Sequence, residues 1–195
     1  MEERDYTRII EREEQSVGFL QGSDRLLYVK GGAGGTIYGY ENKYLELAFR
    51  IREKYGFSVM VSATSSNKQT DFLRDIELAA ELLGKRDFKA VMLGVSMGGL
   101  MGIWYGAESE QIERIAAINP PLMLNYYNKT LPGMKKLGRD RLTMVFGTLD
   151  PSYKYLPFAE RHAAVKLIEG ADHNLRGSRL SLFDLAEELL INEQM

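Results

Sequence analysis

The chain has 195 residues, of which 45% are hydrophobic and 27% charged, a balance typical of one globular domain with a core of its own. Its 25 basic and 27 acidic residues leave a net charge of −2, which excludes a strong overall attraction to nucleic acid or to an anionic membrane. Cysteine is absent and only 2 histidines occur, which disfavours disulfides, thiolate sites and multi-histidine metal centres, so we expect neither a metal nor a cofactor.

The N-terminal part of the chain is polar. Met1 to Asp5 are mostly charged, where a signal peptide needs an apolar run, and no later apolar run approaches the length of a membrane span. Apolar residues at 9–10 and 17–20 predict one or two edge strands within residues 1–23. We therefore expect a cytoplasmic protein without membrane contact, folded as a single domain over residues 1–195.

From about residue 24 onward, short apolar runs alternate with longer stretches of helical periodicity. Strands are predicted at 25–29, 57–61, 90–94, 112–118, 142–146 and 164–167, and helices at 43–55, 70–83, 97–105 and 179–191. This alternation is typical of βα units around a parallel sheet. It predicts an α/β fold, a three-layer α/β/α sandwich with a mostly parallel, twisted sheet.

A glycine-rich segment, Lys30 to Tyr40, follows the first strong strand. It does not match a P-loop, because no Lys-Ser or Lys-Thr follows a suitably spaced glycine, and residues 32–37 lack the last glycine of the dinucleotide fingerprint. Such a loop can bring its backbone close to a substrate oxygen, so we expect an N–H from Ala33 or a neighbouring glycine to serve as an oxyanion donor. The alternative is a flexible turn. Lys30 is expected to be solvated, with contact to an acidic group of a substrate as the alternative.

The helix predicted at 70–83 is amphipathic. Its apolar stripe consists of Phe72, Ile76, Ala79, Ala80 and Leu83, and its polar side of Asp71, Arg74, Glu77 and Glu81. Leu78 and Leu82 fall outside this stripe. We expect the apolar stripe to face the sheet.

Residues 91–101 carry the strongest chemical signal. An apolar strand runs into the pentapeptide from Gly94 to Gly98, which has the form Gly-x-Ser-x-Gly, and then into a helical pattern. A serine on a tight strand-to-helix turn projects its hydroxyl outward, and the flanking glycines remove side chains that would clash. The following helix directs free N–H groups towards a developing oxyanion. Ser96 is therefore the predicted nucleophile, and the N–H of Met97 a predicted oxyanion donor.

Two further residues complete the predicted chemistry. Asp150 follows the strand at 142–146, and His173 follows the last strand, so both lie where α/β sites collect. An Asp-Pro turn or helix cap, and a surface histidine, are the alternatives for each residue alone. Together they predict a triad in which His173 accepts the Ser96 proton and Asp150 orients the imidazole. Asp172 is a rival carboxylate, and His162, at the opposite end of the last strand, is expected to be structural or solvated.

Gly94 to Gly99, Asp150 and His173, with the glycines at 31–35, resemble the α/β-hydrolase superfamily from about residue 24 to about residue 190. The resemblance implies a mostly parallel sheet with helices on both faces and an esterase, thioesterase, lipase or peptidase activity. It also assigns Ser96, Asp150, His173 and the Met97 backbone to the family's site. The chain departs from many members by lacking His-Gly at the oxyanion loop. It also lacks a large cap after residue 118, where only residues 119–138 are available.

The substrate is expected to be a small molecule with an acyl group, a carboxylic ester or thioester. Residues on loops at the predicted catalytic end are candidates for the substrate pocket, in particular Gly32, Tyr38, Leu122 and Tyr126. A non-catalytic binding or scaffold protein on the same fold, and a peptidase or acyltransferase with the same triad, remain alternatives. A homodimer through an edge strand or residues 120–138 also stays open.

Overall fold

Eight strands form one open sheet in the computed structural model, which describes residues 5–12, 14–64, 66–176 and 179–191. The strands are β1 (Arg8–Arg12), β2 (Gln15–Leu20), β3 (Arg25–Lys30), β4 (Ser58–Thr64), β5 (Lys89–Val95), β6 (Ile112–Ile118), β7 (Leu142–Gly147) and β8 (Ala164–Ile168). Their order is β1-β2-β4-β3-β5-β6-β7-β8. The β1 and β2 strands run antiparallel to their neighbours, and the other strands pair in parallel.

Helices lie between these strands. They are α1 (Lys43–Tyr55), α2 (Gln69–Leu83), α3 (Met97–Tyr105), α4 (Tyr127–Arg141), α5 (Leu156–Ala159) and α6 (Arg179–Ile191). None of the described helices is long and apolar enough to cross a bilayer.

Two hydrophobic clusters cover the two faces of the sheet. The first contains Leu27 and Val29 from β3 and is covered by α1 and α6 through residues such as Ile51 and Leu182. The second contains Leu26 and Tyr28, the alternate residues of β3, and is covered by α2, α3 and α4. Because the central parallel strands β4 and β5 are covered on both faces, their residues are almost all buried, as the apolar runs predicted, whereas the edge strand β8 is mostly half-buried. The predicted three-layer α/β/α sandwich is confirmed.

The buried face of α2 contains other residues than the predicted apolar stripe. Leu78 is buried and Ile76 is only partly buried, and two carboxylates, Asp71 and Asp75, are also buried. Each buried carboxylate has a partner: Ser66 donates to Asp71, and Lys30 is paired with Asp75. A hydrophobicity pattern misplaces this face because buried polar groups with partners are tolerated in a core.

The segment 120–138, the least regular part of the second half in the sequence, contains most of α4. Its helical pattern is obscured by Pro132 inside the helix and by Gly138, which has a φ of 64° at a kink. Gly133 allows close packing of α4 on α3, since a Cβ at this position would lie 2.1 Å from the carbonyl oxygen of Ile103. Residues 119–141 are all that separates β6 from β7, so this connection, described in full, contains no large cap.

Candidate active site

Ser96 lies on a sharp turn between β5 and α3. Its backbone has a φ of 54° and a ψ of −119°, a strained conformation for a residue with a side chain, and its N–H donates to the carbonyl of Ile118 at 2.8 Å. A Cβ on Gly94 would lie 2.5 Å from the carbonyl oxygen of Gly98, and a Cβ on Gly98 would lie 2.2 Å from that of Lys30. The two glycines of the pentapeptide are therefore required by close backbone packing, which holds the Ser96 hydroxyl at the edge of the sheet.

Ser96, His173 and Asp150 form one chain of hydrogen bonds, although the three lie on different loops. The His173 Nε2 atom is 3.1 Å from Ser96 Oγ, and the His173 Nδ1 atom is 2.5 Å from Asp150 Oδ2. In this arrangement Nδ1 donates to the carboxylate, which leaves Nε2 unprotonated and able to accept the serine proton. The structure thus brings the three predicted residues together in the predicted order.

Asp150 also caps a short helical turn, the role that the sequence offered as an alternative. Its Oδ1 atom accepts the N–H of Ser152 at 2.7 Å, while Oδ2 contacts His173. The carboxylate is 1% exposed and the imidazole 46% exposed. The bond from Ser152 therefore holds the buried carboxylate in orientation, and solvent reaches the outer side of His173.

These side chains meet because their loops follow the same ends of neighbouring parallel strands. Lys30 pairs with Gly94, Val95 with Ile118, and Gly147 with Ile168, so the carboxyl ends of β3, β5, β7 and β8 lie along one edge of the sheet. Each of these strands contributes one part of the site.

The glycine-rich loop lies directly over Ser96. A Cβ on Gly32 would be 3.0 Å from Ser96 Cβ and 3.5 Å from Ser96 Oγ. Gly35 donates to the carbonyl of Gly32 at 3.1 Å, and Gly34 has a φ of 72°, so the loop turns tightly with a conformation that glycine adopts readily. Ala33 follows Gly32 at this turn and is exposed. The loop therefore presents backbone, rather than side chains, to the serine.

A cavity of about 360 Å³ opens beside Ser96 and His173. It is lined by Gly31, Gly32, Ala33, Gly34, Gly35, Thr36, Gly39, Tyr40, Lys43, Tyr44, Val95, Ser96, His173 and Asn174. Burial raises the pKa of the Tyr44 phenol to about 12, so this wall residue is neutral. The cavity is thus lined by the glycine loop, the start of α1 and the His173 loop.

Of the four predicted pocket residues, Gly32 lies in the wall of this cavity and the other three do not. The Tyr38 hydroxyl faces the carboxylate of Asp5 at 3.2 Å, and its ring packs against Tyr6. Leu122 is buried in the second core cluster, and Tyr126 packs against Trp104. These aromatic and apolar residues contribute to packing, a role that residue type and loop position do not distinguish from substrate contact.

Lys43, Tyr44 and Asn174 were missed as wall residues by the sequence reasoning. Lys43 is 5% exposed, and its ammonium donates to the carbonyl of Asn174 at 2.6 Å. The two residues are 131 positions apart, so no local pattern indicates that they meet. The sequence offered one indication of this wall, since Asn174 directly follows the candidate base His173.

Asp172, the rival carboxylate, is occupied by its own loop. Its Oδ1 atom accepts the backbone N–H groups of Asn174 and Arg176, both at 2.9 Å. These bonds hold the pKa of the carboxyl below its usual value, and the bond from Arg176 has the largest effect. His162 packs edge-on against Phe158, outside the cavity wall, in keeping with a structural role.

The end of β3 is anchored by a buried polar cluster, which corrects the expectation that Lys30 is solvated. Lys30 is fully buried, and its ammonium donates to Asp75 Oδ2 at 2.6 Å and to Ser62 Oγ at 2.9 Å. Tyr28, Ser62 and Gln15 also donate to Asp75. Burial raises the pKa of the Tyr28 phenol well above its usual value, so its hydroxyl remains a donor. We call these five residues the Asp75 cluster.

The Asp75 cluster lies next to the loop that approaches Ser96. The Ser62 carbonyl accepts the N–H of Gly31, the first residue of the loop, at 2.9 Å. The carbonyl oxygens of Lys30 and Gly31 contact Gly98, at 2.2 and 2.7 Å from the position that a Cβ would take. The cluster therefore fixes the start of the glycine loop against the nucleophile turn. Among the described residues, no group of three or more Asp, Glu or His side chains is arranged to hold a metal ion.

No protein-family model matches this chain, and no curated protein matches it in sequence at a significant level. Solved structures do resemble it. Est1E from Butyrivibrio proteoclasticus is 13% identical with a TM-score of 0.69 over 95% of this chain and 97% of that one. The Pyrococcus furiosus esterase Pf2001 is 14% identical with a TM-score of 0.73 over 95% and 92%. XC6422 from Xanthomonas campestris, described as an α/β serine hydrolase without a lid, is 15% identical with a TM-score of 0.67 over 91% and 88%. The chain has the α/β-hydrolase fold.

Proposed function

We propose that this protein is a serine hydrolase that cleaves a small carboxylic ester or thioester through an acyl-enzyme on Ser96. The observation that carries the proposal is the hydrogen-bonded chain from Asp150 through His173 to Ser96, held on a strained turn. Esterases and a serine hydrolase among proteins of the same fold support the same reaction class.

In the acylation step, His173 Nε2 takes the hydroxyl proton as Ser96 Oγ attacks the acyl carbon. The carbonyl double bond opens to an oxyanion. The bond to the leaving oxygen or sulfur then breaks as His173 returns the proton to that atom, which leaves an ester on Ser96. Asp150 stabilises the imidazolium that forms between the two proton transfers.

Backbone N–H groups stabilise the oxyanion in this proposal. Met97 is the first residue of α3, where the N–H groups have no partner within the helix, and it follows Ser96 directly. The second donor is the N–H of Ala33, on the loop that approaches Ser96. The N–H groups of Met97 and Ala33 would then both bind the oxyanion, so the glycine loop needs no histidine for this role.

Water is the second acyl acceptor in this proposal, because the His173 side chain is 46% exposed and the connection between β6 and β7, residues 119–141, contains no large cap. His173 removes a proton from water, the hydroxide attacks the acyl carbon, and the Ser96 oxygen leaves with the proton. An acyltransferase has to keep water away from its acyl-enzyme, and an open site favours hydrolysis instead.

Turnover of 4-nitrophenyl acetate, 4-nitrophenyl butanoate and the matching thioesters tests the proposal. Ser96→Ala is expected to lower kcat about a million-fold, because the nucleophile is lost while binding remains. Ser23→Ala, a change in an exposed serine far from the site, is the control and should leave kcat unchanged. Wild-type protein that is folded but cleaves none of these substrates would favour the non-catalytic binding protein.

The proposal includes the setting in which the enzyme works. The near-neutral charge of −2 and the absence of cysteine support a small-molecule substrate and a cytoplasmic location. Neither nucleic acid nor a membrane is part of the proposed reaction, and a homodimer stays open.

A further inference from the structure

Asn119 is a fully buried polar residue directly after β6, at the edge of the sheet where the candidate active site lies. Its backbone has a φ of 47°, in the left-handed region that residues with a side chain rarely adopt. Burial of an amide is costly unless its polar atoms are bonded, and a strained backbone adds to this cost. The combination points to specific contacts made by the Asn119 side chain.

The side-chain amide of Asn119 joins two loops of the site. Its Oδ1 atom accepts the N–H of Gly147, three residues before Asp150, at 2.8 Å. Its Nδ2 atom donates to the carbonyl of Asp172, the residue before His173, at 3.2 Å. The amide thus uses one acceptor and one donor, a pair that neither a carboxylate nor a hydrocarbon chain offers.

Neighbouring backbone bonds divide the site into two parts. Leu149 donates to the carbonyl of Ala171 at 3.0 Å, which joins the loops after β7 and β8 to each other. Ser96 donates to the carbonyl of Ile118 at 2.8 Å, which joins the turn after β5 to the end of β6. Asn119 follows Ile118 directly and reaches the loops after β7 and β8, so it connects the serine turn with the loops that carry the acid and the base.

We propose that Asn119 is a positioning residue that holds the base His173 at the distance from Ser96 that proton transfer needs. The inference rests on the proposed hydrolase function and adds to it a residue that acts through the base. The distance that Asn119 controls is the 3.1 Å between His173 Nε2 and Ser96 Oγ. The 2.5 Å contact of His173 Nδ1 with Asp150 lies within the joined pair of loops. Loss of the Asn119 amide should therefore lengthen the first distance and leave the second unchanged.

A pair of esters distinguishes this role from a contribution to folding alone. His173 first takes the proton of Ser96 and then gives it to the leaving oxygen as the acyl–oxygen bond breaks. The 4-nitrophenolate ion leaves without that proton, whereas the oxygen of 4-nitrobenzyl alcohol has to be protonated as it leaves. A displaced His173 therefore slows the cleavage of 4-nitrobenzyl butanoate more than that of 4-nitrophenyl butanoate. A loss of folded protein slows the cleavage of both esters equally.

The variant Asn119→Gly removes the amide and tolerates the positive φ, because glycine adopts this conformation readily. We expect kcat/KM for the benzyl ester to fall on the order of a hundredfold, a typical cost of displacing a reacting group by about 1 Å, and kcat/KM for the nitrophenyl ester to fall markedly less. KM should change little, since Asn119 lies outside the described cavity wall.

Asn42→Gly is the matched control. Asn42 also has a positive φ, 58°, but it is exposed and its side chain does not cap α1. The exchange of asparagine for glycine is the same, so the ratio of kcat/KM for the two esters should stay at its wild-type value.

Equal losses for both esters in Asn119→Gly, or no loss for either, would overturn the proposal and leave the hydrolase function standing. Should Asn119→Gly fail to fold, Asn119→Asp takes its place. This variant keeps the acceptor for Gly147, but a carboxylate cannot donate to the Asp172 carbonyl. The same selective loss is expected, and equal or absent losses would again overturn the proposal.

Wild-type protein that cleaves neither ester would contradict the hydrolase function. Crystal structures of the wild type and of the Asn119 variant then test the positioning role without turnover. A longer distance from His173 Nε2 to Ser96 Oγ, with the contact between His173 and Asp150 unchanged, would support the role of Asn119. An unchanged distance from Nε2 to Oγ would overturn it.

Discussion

Asp150 uses its two carboxylate oxygens for different purposes. One accepts the N–H of Ser152, and the other contacts His173 Nδ1. Because the carboxylate is buried and held from both sides, the imidazole is fixed with Nε2 directed to Ser96. A residue that serves as a helix cap therefore also determines which nitrogen of the histidine faces Ser96.

Asp150→Asn tests this role directly. The amide keeps an oxygen for the Ser152 N–H but stabilises the imidazolium poorly and favours the wrong tautomer, so kcat is expected to fall about ten-thousand-fold with little change in Tm. Steady-state kinetics and thermal unfolding of the same preparation measure both quantities. The control is Asp172→Asn, which should cost far less because Asp172 is bonded to the backbone of its own loop. Similar losses in the two variants would contradict the assignment of Asp150.

Local pattern and chain order were enough to predict Ser96, Asp150 and His173, and the structure brings these three together. Lys30 and Lys43 could not be placed correctly in the same way. Asp75, the ionic partner of Lys30, lies 45 positions away, and Asn174, which accepts a hydrogen bond from Lys43, lies 131 positions away, so no local pattern indicates these contacts. A lysine next to glycines is usually solvated, and only the carboxylate of Asp75 reverses that outcome.

At the scale of elements, the Asp75 cluster joins α2 to three neighbouring strands. Lys30 and Tyr28 come from β3, Ser62 from β4 and Gln15 from β2. Each donor meets an acceptor in a region without solvent, so the ionic pair is tolerated in the core. The cluster also determines where the glycine loop begins.

Removing one charge of this pair is expected to destabilise the protein strongly. Lys30→Met leaves a buried carboxylate without its cation and should lower the free energy of unfolding by about 3 to 5 kcal/mol. The double variant Lys30→Met/Asp75→Asn is neutral at both positions and should recover part of this loss. Urea unfolding followed by circular dichroism measures both. A double variant less stable than Lys30→Met would contradict the cluster as described.

The contact between α1 and α6 depends on a second ionic group. Arg50 and Lys54 each donate to Glu187 at 2.5 Å, and Tyr55 donates at 3.0 Å. These bonds lower the pKa of Glu187 from 4.5 to about 2, and the bond from Arg50 has the largest effect. Because the folded-state pKa is the lower one, the stabilisation is complete above about pH 4.5 and is lost as the pH falls towards 2.

Glu187→Gln is therefore expected to be destabilising at pH 7 and much less so near pH 2. The penalty at pH 7 should be about 1 to 2 kcal/mol, less than the pKa shift alone implies, because solvent screens the partly exposed cations. Glu188→Gln changes an exposed neighbour on the same helix and should cost less than about 0.5 kcal/mol. Urea unfolding across this pH range measures the difference. An equal penalty for Glu187→Gln at both pH values would contradict the ionic role.

At the scale of the whole molecule, strand order assembles the site. The alternation of apolar runs and amphipathic stretches predicted the sheet from β3 to β8 and four of the helices. It did not predict α4, because Pro132 and Gly138 interrupt the helical pattern. Nor could it predict the cavity, since a cavity depends on how loops from separate strands pack. The three candidate site residues could be predicted because each follows the end of a strand.

The absence of a large cap has a functional consequence for the molecule. Residues between β6 and β7 form α4, which packs on α3 and does not extend over Ser96 as a separate domain. In the proposed hydrolase, substrate selection falls to the cavity beside His173.

The central claim, an activated Ser96, is tested most directly by intact mass after incubation with a fluorophosphonate probe. Such probes phosphonylate serines whose hydroxyl is activated by a neighbouring base. We predict a single adduct on the wild-type protein and none on Ser96→Ala. A folded wild-type protein that forms no adduct, or an adduct that persists on Ser96→Ala, would contradict the account.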